Sequence, residues 1–256
     1  MKINTAKQKM LKGDAVVGFS MGLASPIVAK HLASSGVDFV MLDTQHGSWG
    51  PDSTVMALAS MADGTATPMA RVAANNFTLI GRLLDEGMLG IIVPMVHTPE
   101  DAKAAADACR FPPVGNRSWG WSLARMYGTD YPSWINDQVY AAIQIESAQA
   151  VANAEAIMAT PGIDGCWVGP ADLGLTMGLR PAEVPQSDEH RRALEKVIQA
   201  CKNTGKVPGI ACGSVEDAIK KMQMGFRFVT ASNDANLLLT AAAGALTTLR
   251  QAMAKL

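Results

Sequence analysis

Short apolar, β-rich runs alternate with longer stretches of helical period along nearly the whole chain. The runs predict strands at 15–19, 38–42, 67–70, 90–93, 141–145, 165–168, 207–211 and 226–230. Between them, helix-forming sequence fills 26–34, 77–85, 99–109, 148–159, 189–201 and 215–222. Such alternation produces a parallel sheet, because each parallel return needs a crossover helix. Eight strands fit an α/β fold of the closed (β/α)8 type, a TIM barrel. A doubly wound open sheet shares the same periodicity.

Three glycine-containing phrases, Gly36-Val37-Asp38, Gly162-Ile163-Asp164 and Met224-Gly225-Phe226, precede predicted strands and read as helix-to-strand corners. One connection breaks the rule of short loops. Residues 111–140 are rich in Pro, Gly, Trp and Tyr and predict a lid or a subunit contact, through Trp119, Trp121, Tyr127, Tyr131 and Trp134.

A chain of 256 residues is the ordinary length of one such barrel, so 1–256 reads as a single domain. With 22 Lys+Arg against 23 Asp+Glu the net charge is -1, and no basic stripe recruits nucleic acid or an anionic membrane. The expected partner is a small molecule. The first 14 residues scatter four lysines among polar residues without an apolar core, which is not a secretory pattern. The uncharged run 235–249 is too short for a bilayer and predicts a buried helix. A cytoplasmic enzyme is expected. Cys109, Cys166, Cys201 and Cys212 form no C-x-x-C pair and read as reduced core or pocket-wall thiols.

Polar residues at predicted strand ends are the candidates for chemistry. They are Asp43-Thr44-Gln45-His46 after strand 2, Arg71 after strand 3, Glu146 after strand 5 and Asp172 after strand 6. In a barrel these ends converge on one rim. Two carboxylates without sulfur or imidazole beside them suit a hard cation, Mg²⁺ or Mn²⁺ with Co²⁺ as a third candidate, and leave coordination positions for water and a chelating 2-oxo acid. Polarising the keto group acidifies the adjacent carbon, and Arg71 is a permanent cation for the resulting enolate oxygen. His46 is a proton carrier near neutral pH. The backbone N–H groups of Ala171 and Asp172, following Gly169 and Pro170, are candidate holders of the substrate carboxylate. His31, His97 and His190 read as structural. No P-loop, G-x-G-x-x-G or G-x-S-x-G phrase is present, which disfavours nucleotide and serine-hydrolase chemistry.

Asp43-x-x-His46, Pro112-Pro113-x-Gly115-x-Arg117, Ile143-Gln144-Ile145-Glu146 and Val168-Gly169-Pro170-Ala171-Asp172-Leu173 together resemble the HpcH/HpaI family of class II pyruvate aldolases. The resemblance runs from about Val17 to about Leu249. It implies a barrel of the phosphoenolpyruvate/pyruvate-binding type and a divalent-metal-dependent lyase acting on pyruvate or hydroxypyruvate and an aldehyde. Glu146 and Asp172 would be metal ligands, Arg71 would bind the keto or enolate oxygen and His46 would be the acid/base. Gln144 would line the pocket, Asp85 in Leu83-Leu84-Asp85 would orient the histidine and Asp43 would steady Arg71. The resemblance further implies a homo-oligomer, commonly a hexamer.

Two departures bear on substrate. Gln45 stands where many members carry Glu, and Ser20 occupies a strand 1 position often filled by a bulky residue. The runner-up is a CoA-ester lyase of the citrate lyase β chain or malyl-CoA lyase type, which usually runs longer and starts with an Arg-Ser-rich phrase absent here. A barrel that binds 2-oxo acids without turnover is the rival outside enzymology, and retention of an acid pair, a cation and a base together argues against it.

Overall fold

Eight parallel strands close on themselves in sequence order, each hydrogen-bonded to the next and the last to the first. A computed structural model describes residues 1–255 of the chain. The strands are Val16–Met21 (β1), Phe39–Asp43 (β2), Thr67–Arg71 (β3), Gly90–Val93 (β4), Tyr140–Ile145 (β5), Gly165–Val168 (β6), Gly209–Ile210 (β7) and Phe228–Asn233 (β8). The (β/α)8 barrel predicted from the alternation is the fold, and the open-sheet alternative falls with the β1–β8 pairing.

Two packed layers hold the barrel. Inside, Phe39, Met41, Met69, Ile92, Tyr140, Trp167 and Phe228 form one buried cluster, with Phe228 against Phe39, Tyr140 and Trp167. Outside, the opposite strand faces meet the helices around Leu42, Ile91, Ile143, Val168 and Val229. Side chains alternate across a strand, so a wall buried on both sides must be apolar at consecutive positions. That is why β2 and β4 read as unbroken apolar runs. At the corners, Gly162 and Gly225 have φ of +88° and +123°, where a side chain would be strained.

The end of the barrel at the strand N-termini is plugged by a helix that sequence periodicity did not announce, Thr5–Leu11. Buried Asn4 caps it and donates its Nδ2 to the Leu89 and Gln138 carbonyls. Lys7 reaches the Val139 carbonyl and Asp164, while Arg110 takes the other Asp164 oxygen. Charges so placed fix the closed end and leave chemistry to the other.

Two expectations are corrected. Residues 111–140 do not form a lid: Tyr131 and Trp134 are buried with Leu89, Phe111 and Ile135 in a separate small core. Tyr131 Oη donates to the Leu84 carbonyl, and Tyr127 Oη to that of Gly87. Of the five aromatic residues Trp119 alone stays widely exposed, at 70%. The run 235–249 lies in the helix Asp234–Met253, but beyond Asp234 it buries no side chain. Leu238 and Leu239 are 63% and 66% exposed, because the helix meets β1 and β8 at its start and then leaves the barrel, where no side chain of it is buried among the described residues. No helix among the described residues is long and apolar enough to cross a membrane.

Candidate active site

At the strand C-termini, β2 and β3 run in register so that Asp43 and Arg71 are direct partners. The Asp43 carboxylate accepts from Arg71 Nε at 2.9 Å and from Nη2, a two-pronged pair that fixes the guanidinium plane. Asp43 Oδ1 also accepts the backbone N–H groups of Gln45 and His46, at 3.1 and 3.2 Å. Burial pushes this carboxyl up, but the bonds and charge of Arg71 and the two N–H groups outweigh it, leaving it below the usual carboxylate range. One acid therefore aligns the cation and shapes the turn that presents His46. The strand and turn are tied again by Thr44, whose N–H and hydroxyl both donate to the Arg71 carbonyl.

Across the rim, Glu146 follows β5 and is 3% exposed. Its Oε1 accepts the Met95 N–H at 2.6 Å, and its Oε2 accepts the Gln144 side-chain amide. Burial raises the Glu146 carboxyl above its ordinary value; the Met95 bond opposes this, Asp172 adds to it, and Arg71 lowers it again. Asp172 and Arg71 thus each lie within electrostatic reach of Glu146. Asp172 stands in the first turn of the helix Pro170–Thr176, and His190 Nε2 meets the Pro170 carbonyl at 3.1 Å. His190 is consequently structural, holding the helix that carries Asp172.

Gly169 is the tight point of this half of the rim. A Cβ there would fall 2.9 Å from Gln144 Nε2 and 3.0 Å from Glu146 Oε2. Only a bare backbone lets the turn into the Asp172 helix pass so near the glutamate. Gln144 Oε1 is buried without a partner, so a donor is still owed to it. A buried carboxylate beside a second carboxylate, with Arg71 already committed to Asp43, calls for further positive charge. These residues fit a divalent cation held by Glu146 and Asp172. Among the described residues no group of three or more His, Cys, Asp or Glu is arranged around a metal position, so most of the shell would belong to water and substrate.

Next to Arg71 opens a cavity of about 400 Å³, lined by Asp43, His46, Arg71 and residues from β1 and β8. The candidates therefore divide: Asp43, Arg71 and His46 line this cavity, whereas Gln144, Glu146 and the stretch Gly169, Pro170, Ala171, Asp172 do not, and are linked to it through the charge of Arg71 on Glu146. Asp85 is placed differently. Its Oδ1 accepts from Arg117 Nη2 at 2.6 Å, and no hydrogen bond joins it to His46 among the described residues. Arg117 is almost fully buried, over the Phe111 ring and against Tyr131 Oη. Gln45 keeps Oε1 buried and unpaired.

Four participants escaped sequence reading. Met95 serves through its N–H in a left-handed conformation, φ +56°, which no residue pattern announces. Asp234, 4% exposed, accepts the N–H groups of Gly22 and Leu23 and so ties the end of β1 to β8. Ser232 and Asn233 reach the rim because β8 continues three residues past its predicted end. The polar run Thr230-Ala231-Ser232-Asn233 was the available signal.

Residues 17–241 match the family model described as HpcH/HpaI aldolase/citrate lyase. The chain is 34% identical over 243 residues to a 4-hydroxy-2-oxo-heptane-1,7-dioate aldolase from Escherichia coli, covering 93% of this chain and 92% of that one. It is 32% identical to a hydroxypyruvate/pyruvate aldolase from Pseudomonas aeruginosa, with 93% and 90% covered. A crystal structure of an HpcH/HpaI aldolase/citrate lyase family protein from Burkholderia cenocepacia superimposes with a TM-score of 0.91 at 32% identity, covering 96% and 99%. With a closed barrel, an acid pair and a cation on one rim, the chain belongs to the HpcH/HpaI aldolase/citrate lyase family of lyases.

Proposed function

We propose that the protein is a class II aldolase that cleaves or forms 4-hydroxy-2-oxo acids, with pyruvate or hydroxypyruvate as one partner and an aldehyde as the other. The observation that carries this reading is the buried Glu146, within electrostatic reach of Asp172 and of a guanidinium already aligned by Asp43. Glu146 and Asp172 would hold Mg²⁺, Mn²⁺ or Co²⁺, which when bound supplies Lewis-acid polarisation of the keto group. Arg71 faces the keto oxygen and stabilises the charge that collects there as the enolate develops. The N–H groups of Ala171 and Asp172, in the first turn of their helix, receive the substrate carboxylate.

In the cleavage direction His46, directly or through water, removes the proton of the 4-hydroxyl. The C3–C4 bond breaks, its electron pair passes into the enolate, and an aldehyde leaves. Returning a proton to C3 releases the 2-oxo acid. The aldolase names of relatives at 32% and 34% identity favour this reading over a CoA-ester lyase. The exposed leucines of Asp234–Met253 support a homo-oligomer, for which a hexamer is proposed. In that assembly Asp85 would act as a positioning acid for a histidine across a subunit boundary, since within one chain it is joined to Arg117.

Incubation of the Mn²⁺-loaded enzyme with pyruvate in D₂O tests the enolate step. Methyl-proton exchange above a metal-only control, abolished in Glu146→Gln, is expected. Exchange that persists in that variant would overturn the assignment.

A further inference from the structure

The charge and hydrogen-bonding capacity of the cavity beside Arg71 restrict the aldehyde. Among the described residues Arg71 is the only Lys or Arg that lines it, and Asp43 occupies Nε and Nη2 of that guanidinium. On the β8 side stands Asp234, buried, bonded to the N–H groups of Gly22, Leu23 and Ala235 and ion-paired with no Lys or Arg among the described residues. A carboxylate on the distal end of the aldehyde would meet there a like charge offset by backbone N–H groups alone and no free cation, at a large desolvation cost.

The same wall is rich in unused neutral donors. Ser20 and Asn233 are direct partners across β1 and β8, and Ser232 pairs with Phe19 one step earlier. Neither serine hydroxyl has a hydrogen-bond partner among the described residues, although both face the cavity. Asn233 Oδ1 is used in capping Asn236, which leaves its Nδ2 free to donate. His46 lines the same cavity, so this is the side on which the aldol hydroxyl and the aldehyde carbon must lie if the histidine acts on them.

We infer that the aldehyde partner is an uncharged hydroxyaldehyde, selected by Ser20, Ser232 and Asn233 and by the repulsion of Asp234. This deepens the aldolase reading and rests on it. The chain would then differ in preference from an aldolase whose product, like a heptanedioate, carries a second carboxylate. A site built to bond hydroxyls also discriminates against the deoxy analogue, because its own polar groups are left unpaired.

The test uses the Mn²⁺-loaded enzyme and pyruvate, with glyceraldehyde, propionaldehyde and succinic semialdehyde compared by kcat/KM and products identified by mass. Glyceraldehyde is expected to exceed each of the others by about tenfold or more. In the Ser20→Ala/Ser232→Ala double variant the ratio of glyceraldehyde to propionaldehyde should fall about tenfold. Succinic semialdehyde matching glyceraldehyde, or an unchanged ratio in the variant, overturns the inference. Pyruvate methyl exchange in D₂O separates the two levels: exchange without hydroxyaldehyde preference defeats this inference alone, and absence of exchange defeats the aldolase reading with it.

Discussion

Asp43 and Arg71 are register partners on adjacent strands, and the carboxylate that grips Nε at 2.9 Å also receives the backbone of the His46 turn. The cation and the base are thereby set by one side chain. Asp43→Asn keeps the size but offers one acceptor where two are used, so the guanidinium plane should swing and the turn loosen. A loss of about 10²-fold in kcat/KM is expected, by analogy with removal of a single oxyanion donor. Mn²⁺ affinity, read by electron paramagnetic resonance, should stay within a few-fold because Glu146 and Asp172 are untouched. Equal loss of metal and activity would show that the Asp43 pair and the acid pair are not separable.

Gly169→Ala adds one methyl where 2.9 Å separates it from Gln144 Nε2 and 3.0 Å from Glu146 Oε2. The amide and the carboxylate must both shift, and the carboxylate is not free: Met95 holds the glutamate from the other side. Mn²⁺ binding should weaken by tenfold or more, with activity following it, while circular dichroism stays that of the wild type. A variant that binds metal normally would show that the Gly169 contact has slack.

His190 gives a pH dependence. Burial lowers its pKa below the ordinary 6.5, and its bond to the Pro170 carbonyl opposes the shift without reversing it. As pH falls below about 6.5 the unfolded chain takes up a proton first. Stability contributed by neutral His190 is therefore present above that pH and is lost as pH falls through the depressed value. Urea denaturation from pH 7.5 to 5.5 should show this slope, and His190→Gln, which cannot gain the charge, should flatten it. The slope surviving in the variant would assign it to another group.

Much of this was legible in the sequence, for reasons that also say what was not. An acid after an apolar run marks a strand end, so Glu146 and Asp172 stood out, and closure followed from counting eight runs. Met95 was invisible because its role belongs to its backbone. Ser232 and Asn233 were missed because periodicity follows apolar residues and β8 stops being apolar at Val229, although the strand continues. The helix Asp234–Met253 showed its leucines in the sequence, but an apolar face does not say what covers it, and nothing among the described residues does.

Asp85 and Arg117 pose the sharpest question about role, since the acid belongs to a family phrase yet is joined to a buried arginine. Arg117 is 1% exposed, with Phe111 under its guanidinium and Gly120 and Tyr131 as further acceptors. Removing one partner of such a pair strands the other, a loss of about 3–5 kcal/mol when both are buried. The amide oxygen of Asp85→Asn can still accept from Nη2 and lies at an edge open to water, Asp85 being about a third exposed, so part of that cost is relieved. Asp85→Asn should therefore cost about 1–2 kcal/mol in urea denaturation, against about 3–5 kcal/mol for Arg117→Met, which leaves the carboxylate and the Tyr131 hydroxyl without their donor. If the acid only supports the fold, kcat and its pH profile stay as in the wild type once folded enzyme is counted. If it also orients a histidine across a subunit boundary, Asp85→Asn shifts the pH profile of kcat, and Arg117→Met, which leaves the carboxylate in place, shifts it less.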